Sequence, residues 1–199
     1  MKRFSRAIVL AVALFVASPA VAALAYDGAA AAKYADQYAT SYNKAYPSFA
    51  NKGGDCANFV SQALFAGGIQ QRPSPTFSGA AAWYMTQTNR KSWTWSTSWV
   101  NSQQNSLFIS TIGGTVVQTV IGASASTVVN SNAQQGDIIF YDWTNDGTFD
   151  HEAIVATTDG QYVDAHTNDR YHEYWTLAKY NTYAATTRIV VVHIPASAT

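Results

Sequence analysis

Gly53-Gly54-Asp55-Cys56-Ala57-Asn58-Phe59-Val60 is the stretch on which the reading of this chain turns. Two glycines form a turn, and Asp55 offers a carboxylate that can cap a helix start. Cys56, Phe59, Val60, Ala63 and Leu64 then share one face at i, i+3, i+4, i+7 and i+8. Gly67-Gly68 stops the helix. Cys56 is the only cysteine in 199 residues, and it stands at the helix end where backbone N–H groups point outward. The thiolate is the reactive form, and a helix N-terminus or an adjacent imidazolium favours it. Cysteine more often serves as a small buried apolar side chain, so the surrounding residues must decide.

Lys2, Arg3 and Arg6 precede an apolar run, Ala7 to Ala17, and Ala20-Val21-Ala22 and Ala23-Leu24-Ala25 offer small-x-small cleavage sites. That pattern predicts a secretory signal over residues 1–25 and a single domain over 26–199. The run is too short to span a membrane, so no stable anchor is expected after cleavage. The processed chain carries nine basic against twelve acidic residues, a net charge of −3. Such a surface does not favour nucleic acid. The expected product is secreted to the exterior or held at the cell wall, and monomeric. With one cysteine it makes no internal disulfide and depends on its core.

Outward from the cysteine helix, Tyr34, Tyr38, Tyr42 and Tyr46 recur at i+4 and predict a helix over 28–46, ended by Pro47. Pro73 and Pro75 mark a loop, residues 80–85 suggest a short helix, and Thr97 or Ser98 starts another reaching Ile109. Beyond Thr115 the period falls to two. Strands are predicted over 115–121, 137–143, 152–158, 161–165 and 188–194, with hairpin chemistry at Asp159-Gly160. Helices followed by strands predict an α+β fold.

His151 opens an apolar strand in Asp150-His151-Glu152-Ala153-Ile154-Val155, a rigid seat for a general base. In Tyr162-Val163-Asp164-Ala165-His166 the alternation puts Asp164 and His166 on one face, with Asn168 beyond. His166 is a candidate to orient His151 by a hydrogen bond, the third place in a Cys-His-polar triad. Trp83, Trp93, Trp95 and Trp99 fall within 17 positions, and Trp83, Trp93 and Trp99 are candidates to bind substrate; packing of a loop-rich region is the competing account.

The Asp55–Leu64 block, Gly67-Gly68, Gly136-Asp137-Ile138-Ile139, Asp150–Val155 and His166-Thr167-Asn168-Asp169-Arg170 resemble, in order, the blocks of the putative amidase domain family. The resemblance covers roughly residues 26–193. It implies kinship with the NlpC/P60 and CHAP peptidases, a papain-like fold with the nucleophile helix packed on an antiparallel sheet, and cleavage of amide bonds in peptides or peptidoglycan-like substrates. It assigns Cys56 as nucleophile, His151 as base and His166 as third residue, with Asp164 and Asn168 competing for that last place. Ala57 departs from the threonine or serine expected there.

No organic cofactor is indicated. Asp142 to Asp150 spaces its oxygens partly like a calcium loop, but Ala153 stands where a bidentate Glu is needed. Zinc through Cys56, His151, His166 and His172 lacks any HExxH or CxxC pairing. His172 and His193 receive no catalytic role, and His193 is expected to be structural. The non-enzymatic alternative is an exported glycan- or peptide-binding module using its Trp/Tyr-rich surface.

Overall fold

The parity of residues along a central sheet sorts the molecule into two sides. The computed structural model describes residues 25–74, 80–89, 92–124, 126–129 and 131–199. The export leader expected over residues 1–25 lies, except for Ala25, outside the described residues, as does Pro75. Helices come first: α1 (Gly28–Tyr38), α2 (Cys56–Ala66), α3 (Thr97–Val100) and α4 (Ser102–Thr111). A hairpin of β1 (Met85–Thr88) and β2 (Ser92–Trp95) precedes α3. Strands β3 (Thr115–Ile121), β4 (Ile138–Asp142), β5 (His151–Val155), β6 (Tyr162–Ala165), β7 (Arg170–Tyr174) and β8 (Arg188–His193) form one antiparallel sheet. Its order is β3-β8-β4-β5-β6-β7, and the chain is α+β.

Every residue of β4 is buried, because this inner strand is covered on both faces. Ile138, Phe140, Ile154, Val190 and Val192 join the core that also holds Phe59, Leu64 and Phe108 of the helices. Ile139, Tyr141, Ala153, Val155 and Val191 face the opposite side, against Trp175 and Leu177. Glu152 therefore turns with Ile154 toward the helices, while His151 turns with Ala153 toward Tyr141.

The predicted helix over 28–46 stops at Tyr38. Ser41 N–H bonds the Tyr38 carbonyl at 3.0 Å, and His166 Nε2 lies 2.8 Å from the same oxygen. Tyr42 leaves the helical path to set its ring against His166, tilted with centroids 4.4 Å apart, and to donate to Asp169 Oδ1 at 3.2 Å. Partners more than 120 residues away end this helix, well before Pro47. The short helix expected over 80–85 is extended instead: Trp83 exchanges both backbone bonds with Arg72, and Met85 begins β1. The helix expected to run to Ile109 breaks at Asn101, whose side chain caps α4 by accepting from Gln104 N–H at 3.0 Å.

Candidate active site

Gly53 and Gly54 both hold positive φ, 99° and 127°, so the turn into α2 suits glycine. The Asp55 N–H then docks on Thr167 Oγ1 at 2.8 Å, tying the helix start to the β6–β7 turn. Asp55 does not cap α2 through its side chain, contrary to the expectation from sequence. Its Oδ1 accepts from Phe49 N–H (2.6 Å) and the Asn58 amide (3.0 Å), and its Oδ2 pairs with His166 Nδ1 (2.8 Å). The first-turn N–H groups of α2 are thus left without a side-chain cap, beside Cys56.

Cys56 is buried, with Ser102 Oγ 3.5 Å from its sulfur. Glu152, fully buried, lies beside them and accepts from the Asn105 amide at 2.9 Å. Burial first, then the charge of Cys56, push the Glu152 carboxyl well above its ordinary value, against the hydrogen bonds of Asn105 and Ser102. The site thus favours the protonated acid beside Cys56, a role invisible in a sequence that reads only as a charged residue in a strand. Its contribution to stability is full below the ordinary value of 4.5 and falls away as pH rises toward the raised folded value. Glu152→Gln, which mimics the neutral acid, is therefore expected to gain on wild type by up to about 1.4 kcal/mol per pH unit above that point. Urea unfolding from pH 4 to 8 reads the gap, and a gap independent of pH rules out the neutral acid.

His151 lines, with Cys56, Trp143, Thr167 and Asn168, a cleft of about 290 Å³ at the end of the sheet where β5 begins and β4 and β6 finish. Its ring stacks on Trp143 at 5.5 Å and 22° and lies 5.5 Å from the ring of Tyr141. Burial first, then the cation of Arg170, push it down to about 4 against the opposing charge of Asp150. The imidazole is consequently neutral at rest.

His166 also borders the cleft but does not orient His151. Both its nitrogens are taken, by Asp55 and by the Tyr38 carbonyl. The reason is register. Ile154 pairs with Asp164 and Val155 with Val163, which sets His166 opposite Glu152 on the helix side. Two acceptors flank the ring, so the imidazolium fits this seat; burial opposes it, but Asp55 and the carbonyl prevail and raise the value. Asp164, the second candidate for the third place, is buried with Oδ1 accepting from His172 N–H at 2.7 Å. Burial, together with the Asp36 carboxylate, pushes it up to about 7. Asn168 lines the cleft.

The tryptophan candidates for substrate binding are corrected. Trp83 and Trp99 are fully buried core residues, their indole N–H groups donated to Ser61 Oγ and Asn58 Oδ1, each at 3.1 Å. Trp93 packs half-buried on that core and stacks with Tyr46. The aromatic residues of the cleft are Trp143, Tyr180 and Tyr183, which lie outside the tryptophan cluster of residues 83–99 that drew the sequence reading. In the loop read against calcium, Asp142 accepts from Asp146 and Gly147 N–H and pairs with Arg188 at 3.0 Å, so an arginine and turn amides occupy its oxygens. His193 pairs with Asp137 at 2.9 Å, in keeping with a structural place. His172 joins Asp36, not Cys56 or His151, so the four-residue zinc set does not assemble.

The chain belongs to the putative amidase domain family, whose model matches residues 25–190. The family's description points to hydrolysis of amide bonds. The chain is 31% identical over 176 residues to the uncharacterized protein YhbB of Bacillus subtilis (strain 168), covering 86% of this chain and 51% of that protein. It is 35% identical over 155 residues to the uncharacterized protein YjcM of the same organism, covering 73% of this chain and 32% of that one. The chain thus spans about half the length of the first relative and about a third of the second. No solved structure matches it.

Proposed function

We propose that the protein is an exported cysteine amidase or peptidase of papain-like kind, acting on amide bonds of peptides such as those of bacterial cell walls. The observation that carries this reading is the shared cleft of Cys56 and His151 at the N-terminus of α2. His151 takes the thiol proton as the Cys56 sulfur attacks the amide carbonyl, and uncapped N–H groups of α2 receive the developing oxyanion. His151 returns the proton to the leaving amine, giving an acyl thioester. Water, deprotonated by the same imidazole, then releases the carboxylate and frees the thiol.

A depressed His151 favours proton transfer during attack over a standing imidazolium. Arg170 borders the cleft, stacked at 3.7 Å over Tyr180, and supplies a fixed cation for a substrate carboxylate. Relatedness to the NlpC/P60 and CHAP peptidases and export through the basic-apolar leader belong to the same reading.

The test is release of free amine from wall-derived peptides by the purified protein and by Cys56→Ala. Loss of more than about 100-fold in the variant is expected. Hydrolysis that survives Cys56→Ala sinks the cysteine mechanism.

A further inference from the structure

Across the helix side of the sheet from Glu152, Asp36 of α1, Asp164 of β6 and His172 of β7 bring one ligand atom each within 4.8 Å of one another. Asp164 is fully buried; its Oδ1 is held by the His172 N–H, while its Oδ2 has no hydrogen-bond partner. The exposed members, Asp36 and His172, pair at 2.8 Å and are 39% and 33% exposed, leaving a route from solvent. Two carboxylates thus converge with a single imidazole between them, and a buried acceptor oxygen lacks any donor. An unpaired acceptor of this kind is costly in a protein interior.

We propose that Asp36, Asp164 and His172 form a binding site for one divalent transition-metal ion, best suited to zinc. One imidazole nitrogen and two carboxylate oxygens make a borderline N/O set, and three protein ligands with a water in the fourth position complete a tetrahedron. Asp164, fixed at Oδ1, offers Oδ2 as a single-oxygen ligand. Opening the short Asp36–His172 contact frees the other two. The ion links α1 to the β6–β7 hairpin, whose turn carries His166, Thr167 and Asn168 to the edge of the cleft. Its role is to fix that turn, separate from the chemistry at Cys56.

Chelator-treated full chain carrying Cys56→Ala, so that the thiol takes no part, is titrated with zinc chloride by calorimetry and by thermal unfolding. One ion per chain and a rise in Tm are expected, with binding weakened by more than about 100-fold in His172→Ala and in Asp36→Asn, both at exposed positions that leave the core intact. His193→Gln, a histidine outside the site, is expected to bind as the parent does. Asp164→Asn adds the buried ligand; should it fail to fold, the two exposed variants still decide. Absence of binding at millimolar zinc, or equal affinity in His172→Ala, Asp36→Asn and the parent, overturns the site and leaves a proton shared between the carboxylates as its occupant. Because the readout is binding in a protein without the thiol, the outcome is independent of whether the amidase reading holds.

Discussion

His151→Ala is expected to lower kcat/KM on an amide substrate by roughly 100- to 10,000-fold, the range for loss of a positioned general base. The wild-type profile carries the sharper signature. Burial and Arg170 push the imidazole down to about 4, so the ring stays neutral, and in the proposed mechanism able to accept a proton, far into acid. The acid limb of kcat/KM is expected near pH 4, not near the ordinary 6.5 of histidine. A limb near 6.5 means a well-solvated ring, and a limb near 4 that persists in His151→Ala assigns the titration to another group. Stability follows the same sign: a depressed imidazole contributes above 6.5, and the contribution is lost as pH falls through about 4. Since His151 is only half-buried, the shift is discounted to about 2 kcal/mol.

The residues show why some of this was legible in the sequence and some was not. Local rules suffice where the deciding contacts are local. The apolar stripe of α2 and its glycine stop read directly, and the strands appear within one to three residues of their predicted ends. β7 escaped because Arg-Tyr-His-Glu-Tyr has no apolar alternation; it is an edge strand with no fully buried residue. The end of α1 escaped because the Tyr38 carbonyl is claimed by His166, a partner no window of sequence contains. The role given to His166 went astray for a third reason. Alternation correctly placed His166 and Asp164 together, but the register between β5 and β6 decides which strand neighbour they meet, and an offset of one residue exchanges His151 for Glu152. Glu152, Ser102 and Asn105 therefore entered the site from structure alone.

The same register makes Asp55 the most consequential structural residue near the site. Asp55→Ala is expected to destabilise the fold by about 3–5 kcal/mol, because it strips the partner from an imidazolium and leaves the Phe49 N–H and the Asn58 amide unmatched in the interior. Loss of a helix cap alone costs about 1 kcal/mol, so the size of the effect separates the two accounts of this residue. Asp55→Asn is the finer test. Its carbonyl oxygen can still accept from the Phe49 N–H, and its amide can donate to a neutral His166 at Nδ1, while Nε2–H continues to donate to the Tyr38 carbonyl. The wild-type pair, with His166 raised, contributes in full below 6.5 and loses that contribution as pH rises through the folded value. The stability gap between wild type and Asp55→Asn should therefore be widest in mild acid and narrow as His166 deprotonates in the native protein. Denaturant unfolding of both proteins from pH 5 to 9, with the His166 ring followed by NMR, reads it. A gap that is constant across that range means the ring carries no charge in the fold, and the clamp on α2 is then an ordinary neutral hydrogen bond.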